Sequence, residues 1–414
     1  MGINLNAGAV KRKRICFFGH FGSPNFGNEI TLQTILHHLR FRLPEAEVAC
    51  ICTGPETLAA TQKIKTVPIS RTLIKRGNFR TRFGLLLRRV FIGAPSELCR
   101  WLDAFKALKK ADVLIIPGTG LLTDAYGLLN WGPYNLFKWS VAAKLRRCKL
   151  VFVSVGAGPL YGVLGRYFVK SALSLADFRS YRDRASLNYL QSVGISTNGD
   201  PVYPDLVFGL PEAMLPHRGE RRSDRRVVAL GLMPYAGKYS AADPSDDTYQ
   251  EYLNNLVTFT QWLLARDYDV RLIIGEVSDR TASEEFKSRL KASLGASGEG
   301  RILDEPAFSA EQLLSQIAES DIVVATRFHN IVFALLLNKP VIAISFHHKC
   351  AALMAEMGLP EYCHDINRMN AGKLIEQFQG AVRNADRLKS MIGRKVEESR
   401  RTLAEQYDII FRGL

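Results

Sequence analysis

The chain has 414 residues, of which 47% are hydrophobic and 10% aromatic, and its formal net charge at pH 7 is +15. This length exceeds one ordinary hydrophobic core, so two domains are expected, and the apolar content excludes a disordered chain. The seven cysteines are scattered, without a Cys-x-x-Cys pair or a His/Cys cluster. We therefore predict reduced thiols, as in cytoplasmic proteins, and no metal site.

Apolar segments typical of buried strands alternate with helical segments in the first half of the chain. The predicted strands are Arg14–Gly19, Val48–Cys52, Asp112–Pro117, Lys149–Gly156 and Phe178–Arg182. The first predicted helix runs from about Asn28 to Arg42. Such a succession is typical of an open parallel sheet covered by helices.

A second alternating series follows a polar, charged segment near 217–226, which predicts a linker. Its predicted strands are Val227–Leu232, Val270–Ile274, Asp321–Ala325 and Lys339–Ile344, and its predicted helices are Tyr249–Arg266, Ser283–Leu294, Ser309–Glu319 and Ala371–Tyr407. We predict an α/β fold of two Rossmann-like domains, residues 1–217 and 227–414, that face each other across a ligand-binding cleft.

The segment Asp321–Asn330 predicts a buried strand, a short polar turn and the start of an apolar helix. Arg327 and His329 lie at that turn, where a helix amino terminus adds free N–H groups and a partial positive charge. This arrangement indicates a receptor for a small anion with a titratable imidazole beside it. The alternative is structural: His329 would be a satisfied core histidine, and Arg327 would pair with a carboxylate such as Glu319.

Other polar residues follow predicted strands. The loop 19–29, which contains Asn25 and Glu29, is rich in glycine and opens into a helix, so it suits phosphate or sugar hydroxyls. It matches neither Gly-x-Gly-x-x-Gly nor a Walker A loop, and a capped tight turn explains it equally. Gly118, Gly120 and Asp124 lie in a second loop of this kind.

Charged residues occupy three further strand ends. Arg182 can bind a carboxylate or phosphate through two hydrogen bonds, although pairing with Asp183 and helix capping are common for such a dipeptide. Glu276 and Lys349 follow predicted strands of the second half. Glu276 is equally suited to pair with a buried charge.

Positive charge is concentrated between Lys63 and Lys110, where thirteen Lys and Arg residues outnumber two acidic ones, Glu97 and Asp103. Within this basic insertion, segment 79–92 mixes arginines with large apolar side chains. The mixture is typical of contact with an anionic membrane surface or an acidic polymer, and a solvated basic face is the alternative. Nucleic acid is not an expected partner, since no zinc-finger or RNA-binding signature accompanies the charge.

Neither a secretory signal nor a membrane span is expected. The first ten residues lack a long apolar core, and no apolar run approaches the roughly 20 residues that cross a bilayer. We therefore expect a cytoplasmic protein, with the inner face of the membrane as its site of action if segment 79–92 contacts lipid.

The order of these motifs resembles that of polysaccharide pyruvyl transferases over about Ile15–Gly358. The motifs are Gly19–Glu29, Gly118–Asp124, Ser154–Pro159, Tyr181–Ser186, Pro204–Phe208 and the block Arg327–Lys349. The triplet Arg327-Phe328-His329, followed by Lys339–Ile344 and Lys349, is the most specific part. The chain departs from the family at Asn28, where Asp is usual, at Pro117–Gly120, where a triple-glycine-like turn is usual, and at Phe346, where Tyr is usual.

The resemblance implies a glycosyltransferase-B-like pair of Rossmann domains, with the acceptor on the amino-terminal side and the donor on the carboxyl-terminal side. It implies transfer of pyruvate from phosphoenolpyruvate to sugar hydroxyls, which gives pyruvate ketals on an exopolysaccharide, another cell-surface glycan or a lipid-linked saccharide precursor. No cofactor or metal is expected, because phosphoenolpyruvate is itself the donor substrate.

Residue roles follow from the same resemblance. His329 is the expected general acid, and Asp124 or Glu29 is the expected acceptor of hydroxyl protons. The expected substrate-binding residues are Arg327, Arg182, Lys349, Asn25, Gly118, Gly120 and Glu276. Two alternatives stay open: a sugar-nucleotide glycosyltransferase on the same architecture, and a non-catalytic relative that binds glycans or membranes.

Overall fold

The computed structural model describes residues 12–70, 94–124, 132–217, 219, 224–235, 246–294 and 300–413. Two six-stranded sheets lie in these residues, with strand orders β3-β2-β1-β4-β5-β6 and β12-β11-β10-β7-β8-β9. Every strand pairing is parallel. The predicted α/β fold with two Rossmann-like halves is therefore confirmed.

The first sheet is built by the first half of the chain. Its strands are β1 (Arg14–Gly19), β2 (Glu47–Cys52), β3 (Lys65–Pro68), β4 (Val113–Pro117), β5 (Lys149–Val155) and β6 (Phe178–Tyr181). Its helices are α1 (Phe26–Arg42), α2 (Pro55–Gln62), α3 (Ala94–Ala107), α4 (Gly132–Leu145), α5 (Val163–Ser174) and α6 (Arg184–Ser192). Because β4 pairs with β1, the order of strand addition reverses there, and such a switch point opens a crevice at the carboxyl ends.

The second sheet has the same topology. Its strands are β7 (Val227–Gly231), β8 (Asp269–Ile273), β9 (Ile302–Leu303), β10 (Ile322–Ala325), β11 (Val341–Ser345) and β12 (Cys363–Asp365). Its helices are α7 (Asp246–Leu264), α8 (Arg280–Leu294), α9 (Ala310–Glu319), α10 (Phe328–Leu336), α11 (His348–Glu356), α12 (Ala371–Arg383) and α13 (Ala385–Arg412). Here β10 pairs with β7, so the turn that carries Arg327 lies at the second switch point.

Alternation of side chains along β1 separates two hydrophobic cores. Ile15 and Phe17 face the core that continues into the second half, whereas Cys16 and Phe18 face a core beneath α3, α4 and α5. This period of two is the pattern of a strand that is buried on both faces. The first sheet is therefore covered on both sides, and its carboxyl edge is left to build a site.

The structure differs from the sequence prediction at edges and at one long helix. The edge strands β3, β9 and β12 were not predicted, since they are two to four residues long and lack a strong apolar run. The segment predicted to be helical over 371–407 contains two helices, since α12 ends and α13 begins at Asn384. None of the described helices is both long and apolar enough to cross a membrane.

Helix α13 belongs to the second half by sequence but packs against the first sheet. The buried Gln406 accepts a hydrogen bond from Ser154 Oγ (3.1 Å) and donates one to Ser180 Oγ (2.8 Å). The ring of Tyr407 stacks on that of His38 with centroids 4.2 Å apart. The cleft is thus held by contacts from both halves, while the division at 217–227 stays a prediction. The basic segment 79–92 lies outside the described residues.

Candidate active site in the cleft

Arg327 occupies the turn between β10 and α10 and is held by two carboxylates. Its Nε lies 3.0 and 3.1 Å from the two carboxylate oxygens of Asp279, and its Nη2 lies 3.0 Å from Glu276 Oε1. Glu319, the partner expected on the structural alternative, instead pairs with Arg271 at 2.8 Å. Arg327 therefore does have a carboxylate partner, but the partner comes from the loop after β8.

The Glu276 loop also touches the first half of the chain. Asn25 Nδ2 donates to Glu276 Oε2 (3.2 Å), and the backbone N–H of Phe26 donates to the carbonyl of Gly275 (3.3 Å). Asn25 simultaneously caps α1 by accepting a hydrogen bond from the N–H of Asn28 (3.2 Å). Asn25 and Glu276, both predicted to bind substrate, therefore meet each other at the contact between the two halves.

His329 lies in the first turn of α10 and packs against α1. A Cβ atom at Gly27 would overlap the imidazole ring, so only glycine permits this approach. Burial, together with the charges of Arg182, Lys349 and Arg327, lowers the pKa of His329 to about 4, although Asp205 opposes the change. The Nε2 atom is buried and has no hydrogen-bond partner among the described residues. Other buried polar atoms also lack a partner among the described residues, His364 Nε2 among them, so this feature does not by itself assign a role to His329.

Arg182 follows β6 and is almost fully buried. Its Nη1 lies 3.3 Å from Asp205 and its Nε lies 3.3 Å from Asp183, which also caps α6. Its guanidinium carbon sits 4.3 Å from the ring centroid of Phe328, in the geometry of a cation–π contact. The ion pair between Arg182 and Asp183, which the sequence analysis gave as an alternative, is thus present. It holds the Arg182 guanidinium beside the turn Arg327-Phe328-His329.

Lys349 lies in the first turn of α11 and extends its ammonium group to the other half of the chain. Its Nζ lies 3.8 Å from the position a Cβ would take at Gly120 and 3.4 Å from that at Gly158. No described residue offers Nζ a hydrogen bond or an ion pair. Burial and the nearby Arg182 together lower the pKa of Lys349 to about 7, although Asp183 opposes the change. Lys349 is therefore a cation without a direct counter-charge.

The two expected proton acceptors have backbone partners. Asp124 accepts hydrogen bonds from the N–H groups of Tyr161 and Gly162, both at 2.8 Å, just before α5 begins. Glu29 accepts one from the N–H of Gly22 (2.8 Å), and burial raises its pKa to about 7. Glu29 is two residues beyond Gly27, about 200° around the helix, and so points away from His329.

Gly118 and Gly120 occupy the loop between β4 and Asp124. A Cβ at Gly118 would lie 2.6 Å from the carbonyl oxygen of Ser154, so this glycine allows two neighbouring loops to touch. Gly120 faces the Lys349 ammonium, as described above. Within the described part of the chain, no three His, Cys, Asp or Glu side chains are grouped for a metal ion.

A cavity of about 640 Å³ lies beside the Lys349 turn. The lining residues come from the loop after β5, from α6 and from the carboxyl ends of the second sheet, and include Pro159, Tyr189, Tyr235, Phe346, His347, Asp365 and Asn367. Its volume is in the range of small-molecule sites, and aromatic and hydrogen-bonding groups alternate on its walls. We did not predict this cavity from sequence, although the run Phe346–Lys349 directly after a predicted strand marks one of its walls.

A second cavity of about 350 Å³ has Lys349 in its wall. Arg182, Asp205 and Phe328 also line this cavity, and α13 contributes Lys395 and Glu398. Gly158, next to the Lys349 Nζ, adjoins Pro159 of the larger cavity. Lys349 therefore lines one cavity and lies close to the wall of the other.

Comparison with known proteins agrees with the family resemblance. The family model described as polysaccharide pyruvyl transferase matches residues 25–348. The amylovoran biosynthesis protein AmsJ of Erwinia amylovora is 21% identical over 324 residues, which cover 75% of this chain and 74% of AmsJ.

Solved structures share the architecture at low identity. MnaA of S. aureus, in a co-structure with UDP, superposes with a TM-score of 0.58 at 12% identity, covering 92% of this chain and 90% of MnaA. A glycosyltransferase from Rickettsia africae gives 0.57 at 12% identity, covering 98% of this chain and all of the other (100%). These likenesses show the fold alone and confirm the glycosyltransferase-B-like pair of domains. Because the family model covers most of the sequence, this chain belongs to the polysaccharide pyruvyl transferase family.

Proposed function

We propose that this protein transfers the pyruvate group of phosphoenolpyruvate to two hydroxyls of a saccharide acceptor and forms a ketal. The unpaired Lys349 ammonium beside Arg182 and His329 carries the proposal. Phosphoenolpyruvate has a carboxylate and a phosphate, so its site must supply several positive charges and N–H donors. Arg182 and Lys349 both line the smaller cavity, together with the carboxylates of Asp183 and Asp205 that hold Arg182.

His329 is suited to move the proton that begins the reaction. Its imidazole is neutral in the free protein, because burial and three nearby cations lower its pKa to about 4. Entry of an anionic donor reverses the local charge and favours the protonated form. His329 then gives its proton to the methylene carbon of phosphoenolpyruvate, and C2 becomes an oxocarbenium-like centre.

The remaining steps exchange bonds at C2. The first sugar hydroxyl forms a C–O bond to C2 and loses its proton. The bond between C2 and the phosphate oxygen then breaks, the second hydroxyl forms the second C–O bond to C2, and its proton leaves on the phosphate. Lys349 stabilises the departing phosphate. The products are a ketal with a methyl group and a carboxylate, together with inorganic phosphate.

The larger cavity is the proposed acceptor site. Tyr189, Tyr235 and Phe346 present rings on which the apolar face of a pyranose can stack. Asp365 and Asn367 supply groups that accept and donate hydrogen bonds to sugar hydroxyls. Its position next to Gly158 places an acceptor within reach of a donor held by Lys349.

A thermal-shift titration with phosphoenolpyruvate tests the donor site. The melting temperature of the wild-type protein should rise as phosphoenolpyruvate is added, because a ligand that binds only the native state stabilises that state. Lys349→Met removes the charge and keeps the side-chain length, so the shift should disappear. Lys395→Met is the matched control, since Lys395 lines the same cavity but pairs with Glu398 at 2.9 Å. An unchanged shift in Lys349→Met would refute the donor site.

A sugar-nucleotide glycosyltransferase is the second candidate function. The larger cavity lies at the carboxyl ends of the second sheet, and its volume of about 640 Å³ would admit a nucleotide. MnaA, which shares the fold, was solved with UDP. A thermal shift with UDP-sugars and none with phosphoenolpyruvate would favour this candidate. Absence of turnover with either donor would favour a non-catalytic glycan-binding protein.

A further inference from the structure

Four large apolar side chains are exposed together where α5 begins. Tyr161 is 53% exposed, Val163 78%, Leu164 60% and Tyr167 57%. Tyr167 is four residues after Val163 and three after Leu164, so its side chain neighbours both of them on the helix surface. Single exposed apolar residues are ordinary, whereas a contiguous group of this kind marks an interaction surface. We call these four residues the α5 patch.

The α5 patch is held in place by the fold beneath it. The ring of Tyr167 lies 5.7 Å from that of Phe168 and 6.4 Å from that of Phe137 on α4. Asp124 fixes the backbone at Tyr161 through the 2.8 Å hydrogen bond described above. The patch is thus presented in one orientation before any partner arrives, which lowers the entropy lost on binding.

Two exposed basic residues accompany the α5 patch. Other basic residues of the same part of the chain are paired elsewhere, since Lys138 is buried and binds Glu97 and Lys144 binds Asp177. Arg166 and Lys170 are exposed one helical turn apart on α5 itself, beside the patch. Apolar and tyrosine side chains flanked by cations are complementary to the interface of a bilayer that carries anionic headgroups.

We propose that the α5 patch docks the protein on an anionic phospholipid membrane. Its position relates this surface to the larger cavity, because Pro159 lines the cavity and Tyr161 follows two residues later. Docking there brings the cavity mouth to the membrane surface, where an acceptor attached to a lipid would be found. That last consequence rests on the proposed function, whereas membrane docking itself does not.

Sedimentation with liposomes tests the docking surface on the full chain. Wild-type protein should sediment with vesicles of phosphatidylcholine and phosphatidylglycerol, and far less with phosphatidylcholine alone. The triple variant Val163→Ser, Leu164→Ser, Tyr167→Ser should lose at least about tenfold in partitioning, since it removes the inserted apolar area. Arg166→Gln with Lys170→Gln should cause a comparable loss that is confined to anionic vesicles.

The matched control is Phe41→Ser with Ile409→Ser, which removes apolar residues that are 79% and 53% exposed on α1 and α13. Melting temperatures should agree among all variants because every replaced side chain is exposed. Equal sedimentation of the triple variant and wild type would overturn the proposal, as would a wild type that binds no vesicle. Self-association that the triple variant abolishes, without lipid binding, would assign the α5 patch to a second copy instead.

Failure of docking and failure of the proposed function are distinguishable. The liposome measurement contains neither phosphoenolpyruvate nor acceptor, so it reports on the membrane alone. With a water-soluble saccharide acceptor, the triple variant should turn over at the wild-type rate, since no patch residue lines the described cavities.

Discussion

The ammonium of Lys349 reaches Gly158 across the cleft: its Nζ lies 3.4 Å from the position that a Cβ would take at that glycine. The lysine belongs to the second half of the chain and the glycine to the first. The contact therefore lies close to both proposed substrate cavities. The position of the ammonium group depends on the absence of a side chain at Gly158.

Gly158→Ala should weaken the binding of phosphoenolpyruvate without unfolding the protein. The added methyl would meet Thr123 Cβ at 3.0 Å as well as Lys349 Nζ at 3.4 Å, so the ammonium must move. We expect roughly a tenfold rise in the dissociation constant, equivalent to about 1.4 kcal/mol. Gly300→Ala is the control, since a Cβ there meets nothing within 4 Å. Equal affinities of the two variants, measured by calorimetry, would show that Gly158 does not position the lysine.

Phosphoenolpyruvate affinity should fall as pH rises above about 7. Burial lowers the pKa of Lys349 to about 7, so the free protein loses this charge just above neutrality. The anion requires the protonated lysine, and binding at higher pH must therefore take up a proton, at a cost of about tenfold in affinity per pH unit. Calorimetry at pH 8 in buffers of different ionisation enthalpy measures the uptake.

Lys349→Arg is the control for this pH dependence, because a guanidinium stays charged throughout the range. The variant should bind with an affinity that changes little between pH 7 and 9. A wild-type affinity that is flat over the same interval would contradict the assignment of Lys349 as the titrating cation.

His329→Gln should retain donor binding and lose transfer. Glutamine keeps hydrogen-bonding capacity at the site but cannot deliver a proton to carbon, so turnover should drop by about 10² to 10⁴. Release of inorganic phosphate in the presence of acceptor measures turnover, and the thermal shift with phosphoenolpyruvate measures binding. His37→Gln replaces an exposed histidine of α1 that lines neither described cavity, and should keep most of the activity. Normal turnover by His329→Gln would remove this residue from the mechanism.

Arg327→Met should destabilise the fold. It leaves the buried Asp279 carboxylate without its two-point partner, and breaking such a pair typically costs about 3 kcal/mol or more. Arg225→Met breaks a solvent-exposed pair with Asp267 and should cost at most about 1 kcal/mol. Urea unfolding of the two variants provides the comparison. A loss in Arg327→Met no larger than that in Arg225→Met would show that Arg327 contributes little to holding the loop after β8.

The sequence by itself determined the two sheets and the places where polar residues leave them. Apolar runs such as 322–325 and 341–345 are strands that are buried on both faces. Their continuous apolar sequence predicts a strand whichever elements pack against them. Arg327 and Lys349 follow these strands within a few residues, and the turn geometry fixes them at the carboxyl edge. Strand ends and the residues just beyond them were predictable because both depend on local sequence.

The tertiary structure alone decided which partners these residues have. Asp279 and Arg327 are 48 residues apart in the sequence. They meet because only one strand, β7, separates β8 from β10 in the second sheet, so the loops after these two strands are neighbours. Lys349 meets Gly158 only because the two halves close on each other, and Asp124 binds the backbone before α5 instead of facing His329. The exposure of Val163 likewise depends on how the described elements pack around α5. Distances across a cleft arise from the packing of remote segments, and no local pattern in the chain encodes them.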